Sequence, residues 1–299
     1  MAEEEIPTVA FGEQLMVFFE AGQLEEAEDF AEEYIDSIRA RLGSDDDLEG
    51  ELALALESQS DFFRALGDNQ RAEMGYHEAL HFLRRNDGYE ADRGRINSSL
   101  AVMFDFSDQP EQAKSYYEKA IKLFQGVEPV PVLDIADFEN NLAYIFEAEG
   151  ELDEAEACFR RSLTLTQQAL GLDDRNTAMR YNNLGTHYFK RDRREQAKEL
   201  HLTALNVRRR ILGEDHVETA DSLHNFALVL TRMGKVDEGL KHFEMSLDAF
   251  EKNLDTALDD YETVAANYGD VLESLGEKGS VNDLENRVRE AVSLMERAG

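Results

Sequence analysis

Apolar residues recur along the chain at the three-to-four-residue spacing of an amphipathic helix. In the clearest segment, Leu184 and Tyr188 lie four residues apart and share one face of a first helix. A polar turn follows, and Ala197, His201 and Ala204 then mark the buried stripe of a second helix. Small residues in such stripes allow two helices to approach closely. The segment therefore predicts a helical hairpin.

The hairpin pattern returns at a fixed distance along the chain. Its copies align on the residue that precedes Leu184, which we call the anchor, and the last four steps between anchors are 42 residues each. Such a period is the signature of stacked supersecondary units. The predicted fold is all-α, a right-handed superhelical solenoid of about seven helical hairpins. The anchors are Glu13, Ser58, Ser99, Asn141, Asn183, Asn225 and Asn267.

The seven hairpins account for nearly all of the 299 residues, so we predict one domain with no second domain beside it. In the seventh copy the pattern weakens around Lys278–Val281. The first helix of this copy is therefore expected to cover about 259–275, and the last helix about 283–297. The predicted repeats of the domain 1–299 lie near residues 8–42, 49–87, 91–126, 132–171, 174–213, 216–254 and 258–299.

The order of Leu184, Gly185, Tyr188, Ala197 and Ala204 resembles the tetratricopeptide repeat, with a period longer than the usual ~34 residues. The linker after this copy reads ILGEDHVETA and is similar to the Leu-Gly-x-Asp-His-Pro linker of the kinesin light chain type. No coiled-coil heptads precede the repeats, and in this the chain resembles the bacterial kinesin-light-chain-like proteins found with bacterial tubulin. The matching linker residues are Leu212, Gly213, Asp215 and His216, with Val217 in place of the proline.

The resemblance implies a peptide-binding role for four of the anchors. Kinesin light chain repeats use asparagine at this position to hold an extended chain, and a carboxamide can donate to and accept from a peptide backbone. Neighbouring polar and basic residues would favour an acidic ligand. The alternative is that these asparagines cap or bridge neighbouring helices. The predicted partner-binding residues are Asn141, Asn182, Asn183, Lys190, His224, Asn225, Arg232 and Asn267.

Charge is distributed unevenly along this acidic chain. The formal net charge is −33, yet residues 180–213 carry nine basic and three acidic side chains. The overall acidity argues against nucleic acid and anionic lipid as partners, because both need a basic surface. The basic segment instead predicts docking of an acidic partner, unless its side chains pair with acidic neighbours. The candidate docking patch comprises Arg191, Arg193, Arg194, Arg208, Arg209 and Arg210.

One enzyme-like motif occurs, His77-Glu78-Ala79-Leu80-His81, which has the spacing of a zinc-binding helix. The repeat already explains Ala79, and no third ligand can be identified, so we predict no catalytic residue, metal or cofactor. The N-terminus, MAEEEIPTVA, is not typical of a signal peptide, and no apolar stretch approaches ~18 residues. The lone Cys158 excludes internal disulfides and fits a reducing cytoplasm.

Together these features predict a non-catalytic, cytoplasmic protein–protein interaction scaffold of the kinesin light chain type. The narrower expectation is an accessory protein that binds bacterial tubulin filaments. The alternative is a peptide-binding regulatory or receptor module with no cytoskeletal role. A zinc metallohydrolase is the remote alternative.

Overall fold

The computed structural model describes residues 8–42, 48–84 and 88–298. This part of the chain contains fourteen α-helices and no β-strand, which confirms the all-α class. The first seven residues, on which the prediction of no signal peptide rests, lie outside the described residues. The helices are α1 (Thr8–Glu20), α2 (Leu24–Arg41), α3 (Leu48–Ala65), α4 (Asn69–Leu83), α5 (Glu90–Phe106), α6 (Pro110–Phe124), α7 (Val132–Glu149), α8 (Leu152–Leu170), α9 (Arg175–Lys190), α10 (Arg194–Leu212), α11 (Val217–Arg232), α12 (Val236–Glu251), α13 (Leu254–Leu275) and α14 (Lys278–Ala298).

The helices pair into hairpins through short turns that need a left-handed residue. Between α11 and α12, Gly234 has a φ of 81°, and the N–H of Lys235 donates to the carbonyl of Leu230 at 2.9 Å. This arrangement satisfies carbonyl groups at the end of the first helix. Between α9 and α10 the same place is taken by Asp192 with a φ of 58°, and Asp is among the few residues that tolerate this region. The turn therefore fixes where each hairpin reverses.

The helices form two compact units, Met1–Ile145 and Phe146–Gly299, which we call the N-terminal and C-terminal units. In the N-terminal unit, α3 packs against α4 and α5 packs against α6. In the C-terminal unit, α9 packs against α10, α11 against α12 and α13 against α14, and each hairpin contacts the next one. The single domain 1–299 stays a prediction.

Small residues stand where two helices of a hairpin approach most closely. A Cβ atom on Gly185 would lie only 2.9 Å from Cε1 of His201, and Ala197 and Ala204 are fully buried. Contacts below about 3 Å are not tolerated in a close-packed interior, so these positions cannot carry larger side chains without movement. The predicted hairpin contact around Leu184 and Tyr188, both buried, is present.

The seventh hairpin departs from the bounds expected from the sequence. α13 begins at Leu254 rather than near 259, with a kink at Ala257, where φ is −138° and ψ is 32°. α14 begins at Lys278 rather than near 283, so the expected start of the last helix was wrong. Gly276, with a φ of 79°, ends α13, and α14 begins two residues later. The first residues of α14 are mostly exposed and show no apolar periodicity. None of the described helices is long and apolar enough to cross a lipid bilayer.

Candidate functional site

Three of the four predicted asparagine anchors lie on successive first helices of the C-terminal unit. Asn183 is on α9, Asn225 on α11 and Asn267 on α13, and α11 contacts both of the other helices. The side chains of all three are partly exposed. Asn141, on α7 in the N-terminal unit, is partly exposed as well. The three asparagines of the C-terminal unit, with Lys190 and Arg232 on the same helices, are called the anchor face below.

Several anchors already make hydrogen bonds within the protein. Nδ2 of Asn225 donates to Oδ1 of Asp221 at 3.3 Å, one turn earlier on the same helix. Nδ2 of Asn267 donates to Nε2 of His224 at 3.1 Å, which bridges α13 and α11. In the N-terminal unit, Nδ2 of Asn141 donates to the hydroxyl of Tyr117 at 3.0 Å. A carboxamide has a second N–H and an acceptor oxygen, so each bond uses only part of its capacity. Bridging is thus observed, and peptide contact by these anchors stays a prediction.

Two of the predicted partner-binding residues beside the anchor asparagines are buried instead. Asn182 is 4% exposed and His224 is 8% exposed. Nδ2 of Asn182 donates to Oγ of Ser222 at 3.1 Å, so its Oδ1 accepts from Nδ1 of His201 at 2.9 Å. These bonds join α9, α10 and α11. Because each residue along a helix turns the side chain by about 100°, Asn182 faces inward while the neighbouring Asn183 is partly exposed.

Burial also sets the protonation state of the histidine in this contact. Removal from water, with smaller contributions from His224 and Arg208, lowers the pKa of His201 to about 4. Burial lowers the pKa of His224 as well, against the opposing effect of Asp221. Both imidazoles are therefore neutral near pH 7. A neutral imidazole has one donor and one acceptor nitrogen, as the bonds to Asn182 and Asn267 require.

The two predicted basic residues of the anchor face differ in their surroundings. Lys190 is exposed, and its ammonium group pairs with the carboxylate of Glu147 on α7, which also accepts from Nδ1 of His187 at 2.8 Å. Burial alone would raise the pKa of Glu147, but the hydrogen bonds from Lys190 and His187 outweigh it and lower the pKa. Arg232 is exposed, and its guanidinium makes no hydrogen bond or ion pair with any described residue. It lies 6.0 Å from the centroid of the Phe189 ring.

The six arginines of the candidate docking patch all pair with neighbouring acidic residues. Arg208 is only 5% exposed, and its Nη1 donates to Asp221 at 3.0 Å and to Ser222 at 2.9 Å. Exposed ion pairs contribute about 0–1 kcal/mol each, but they cancel the local positive field. The patch is therefore much less basic than its sequence indicates, and docking there stays a prediction. The pairs are Arg191–Asp153, Arg191–Glu156, Arg193–Glu156, Arg194–Asp192, Arg208–Glu218, Arg208–Asp221, Arg209–Glu214 and Arg210–Asp173.

Sequence reasoning missed a polar network between the fifth and sixth hairpins, which is buried except at Asp221. Its members are Asn182, His201, Ser222, Arg208 and Asp221. Arg208 looked like part of a solvated basic run, and Asn182 looked like an extension of the asparagine row. The one signal available in the sequence was helical phase. Asn182 precedes the anchor Asn183 by one residue and Ser222 precedes the anchor Asn225 by three, so neither has the same orientation around its helix as its anchor. Phase alone does not tell a buried polar group from an exposed one.

The zinc-like motif lies on α4 of the N-terminal unit. Nε2 of His77 is 3.4 Å from the hydroxyl of Tyr116 and 3.7 Å from a carboxylate oxygen of Glu73. The carboxylate of Glu78 pairs with Arg39 at 2.9 Å. Across residues 8–42, 48–84 and 88–298, no group of three or more His, Cys, Asp and Glu side chains is arranged to hold a metal ion. The arrangement around His77 is that of an exposed side chain packed on an aromatic ring.

The comparisons with known proteins agree with this architecture. Two family models described as tetratricopeptide repeat match the chain, one at residues 134–201 and 181–252 and the other at residues 95–125. No protein in the curated set matches the sequence.

Several solved structures share the fold. BtubC (BKLC) from P. vanneervenii has 23% identity and a TM-score of 0.60 over 73% of this chain and 87% of that one. A putative kinesin light chain with nearly identical TPR-like repeats from Podosopora anserina has 17% identity and a TM-score of 0.58 over 71% and 100%. The apo form of RapI has 15% identity and a TM-score of 0.61 over 82% and 99%.

The matched regions together cover half of the chain and contain α9 to α11 in full, with the anchors Asn183 and Asn225. The fold is one that supports protein-interaction scaffolds, and its members are generally non-catalytic. The hairpin geometry, the small residues at the helix contacts and the family matches lead to one conclusion. The chain belongs to the tetratricopeptide repeat family.

Proposed function

We propose that the chain is a non-catalytic interaction scaffold whose anchor face binds an extended, acidic segment of a partner protein. One observation carries the proposal. The exposed guanidinium of Arg232 makes no hydrogen bond or ion pair with any described residue and lies on α11, which also carries Asn225. An acidic side chain of a ligand would pair with Arg232 without displacing an internal carboxylate. Such an exposed pair contributes up to about 1 kcal/mol, and it steers association more than it holds the complex.

The asparagines would supply the sequence-independent part of the binding. Asn183, Asn225 and Asn267 are spaced by one repeat, and each carboxamide can bond a peptide group of an extended chain. Each neutral hydrogen bond contributes about 1 kcal/mol. Lys190 plays a smaller part, because Glu147 already holds its ammonium group.

Fluorescence anisotropy tests the proposal with a labelled Glu-Gly-Ser repeat peptide and its Lys-Gly-Ser counterpart. The double substitution Asn183→Ala, Asn225→Ala should weaken binding of the acidic peptide by roughly tenfold to a hundredfold, since two hydrogen bonds are lost. The matched control is Asn282→Ala, an exposed asparagine on α14. Equal binding of the basic peptide, or equal loss in the control, would contradict the anchor face as the site.

A narrower proposal concerns the class of partner. We propose a bacterial tubulin filament, and the linker residues Leu212, Gly213, Asp215 and His216 together with the likeness to BtubC (BKLC) support it. We also place the chain in the cytoplasm, where the buried thiol of Cys158, which forms no disulfide, suits reducing conditions. The chain should co-sediment with polymerised bacterial tubulin, and the double anchor variant should stay in the supernatant.

The alternative is a regulatory peptide-binding module with no cytoskeletal role. The likeness to RapI, at a TM-score of 0.61 over 82% of the chain, is as close in fold as the likeness to BtubC. The co-sedimentation experiment separates the two proposals. A chain that binds the acidic peptide through its anchor face but never sediments with filaments would fit only this module.

A further inference from the structure

An open groove lies between α13 and α14, at the place where earlier hairpins of the C-terminal unit receive the next helix. α13 itself packs onto the preceding pair, α11 and α12, where the rings of Phe243 and Tyr268 stack at 5.2 Å. One repeat further on, the equivalent surface encloses about 540 Å³ and is not covered by a described residue. Its floor is apolar and consists of Ala265, Ala266, Gly269, Val281, Leu284 and Val288.

The repeat register shows how this groove differs from the one that α13 fills. Phe243 and Leu247, both fully buried under α13, correspond after 42 residues to the exposed Glu285 and Arg289. The floor between these charges stays open, because a Cβ atom on Gly269 would find only Leu284 within 4 Å, at 3.9 Å. The groove is thus shaped for a helix but has charged walls in place of large apolar ones.

The walls are strongly acidic. Four carboxylates face one guanidinium around the groove, and Arg289 is already engaged with Oδ1 of Asn286 at 3.2 Å. None of the four carboxylates makes a side-chain hydrogen bond or an ion pair with any described residue, so their charges are uncompensated locally. Charges of one sign along a cleft attract a ligand of the opposite sign. The four are Glu262, Asp270, Glu273 and Glu285.

We propose that this groove binds an amphipathic helix of a partner protein, with a narrow apolar face of small residues and basic residues on both flanks. A helix fits better than an extended strand, because the backbone groups along both walls are bonded within α13 and α14 and offer no edge to pair with. Apolar side chains of the ligand would cover Leu284 and Val288, while Lys or Arg side chains on either flank would meet the unpaired carboxylates. The groove does not include the anchor Asn267, so the proposal is independent of the anchor face.

A peptide copied from α9, residues 175–190, is the probe for this test. It has the first-helix pattern of the repeats, with Arg175, Arg180 and Lys190 and no acidic residue. The matched control peptide is α11, residues 217–232, which has the same length and pattern but two acidic residues and one basic residue. In anisotropy titrations with the full chain, the α9 peptide should bind at least tenfold more tightly than the α11 peptide.

Two variants of the full chain locate the binding. Gly269→Leu fills the floor of the groove without removing a contact, and leucine is also the better helix former, so the fold should persist. Both Gly269→Leu and the double reversal Asp270→Lys, Glu273→Lys should weaken binding of the α9 peptide at least tenfold. The matched reversal Asp237→Lys, Glu238→Lys, at exposed positions on α12, should change it less than twofold.

Three outcomes would overturn the proposal. The first is equal affinity for the two peptides, and the second is binding of the α9 peptide that survives Gly269→Leu. The third is a self-associated chain in sedimentation velocity that Gly269→Leu converts to monomer, since the occupant would then be a second copy. The anchor face takes no part in this assay. If the α9 peptide did not bind, the proposal for the acidic peptide would be unaffected, and loss of acidic-peptide binding would not affect the proposal for this groove.

Discussion

Replacing the buried Asn182 with alanine should destabilise the C-terminal unit without touching the anchor face. The substitution removes the bonds to Ser222 and His201 at 3.1 and 2.9 Å. Ser222 keeps the bond from Arg208 at 2.9 Å, but the Nδ1–H of His201 loses its acceptor in a buried place. An unsatisfied buried donor costs about 1–3 kcal/mol, and each lost bond about 1 kcal/mol. We therefore expect the free energy of unfolding to fall by about 2–4 kcal/mol.

The matched control is Asn225→Ala, whose side chain is partly exposed and makes one bond of 3.3 Å to Asp221 on the same helix. Both substitutions gain the same helix propensity, about 0.5 kcal/mol, so the difference between them isolates the buried contacts. The loss for Asn225→Ala should be below about 1 kcal/mol. Urea denaturation followed by far-ultraviolet circular dichroism measures both. Equal stabilities for the two variants would refute the structural role of Asn182 and favour its sequence-based prediction as a partner-binding residue.

Three further predictions concern pH, charge and metal. Because the pKa of His201 in the folded protein is about 4, below the usual 6.5, the unfolded chain binds the proton more readily. The stabilisation is present above pH 6.5 and lost as pH falls towards 4, by about 1.4 kcal/mol per unit at most. His201→Gln should flatten this dependence in urea titrations. Arg232→Glu should slow association with the acidic peptide and reverse its dependence on salt in stopped-flow measurements, whereas faster association would contradict the role of that guanidinium. Purified protein should hold no stoichiometric zinc by elemental analysis, and one zinc per chain that disappears in His77→Ala would show this prediction to be wrong.

The hairpins were predictable from the sequence because their determinants are local. Helical phase selects the buried stripe, and a left-handed glycine or aspartate ends the first helix, as at Gly234 and Asp192. Pro110, which has no backbone N–H to lose, stands at the start of α6. The start of α14 was mispredicted because Lys278 to Ser280 are mostly exposed and carry no apolar pattern. This helix begins there because α13 ends at Gly276, two residues before it.

The sequence alone determined the repeat, its period and the positions of the four anchor asparagines, since a pattern repeated over several copies averages out local exceptions. Only the tertiary structure decided which polar side chains meet solvent. Asn182 and Asn183 are identical in type and adjacent in sequence, yet Asn182 is buried against Ser222, 40 residues away, and Asn183 is partly exposed. The sequence also could not show which charges are paired. Arg210 pairs with Asp173 from the preceding linker, whereas the guanidinium of Arg232 makes no ion pair with any described residue. A net charge sums over the chain, whereas the field at a surface depends on which charges are brought within a few ångströms of each other.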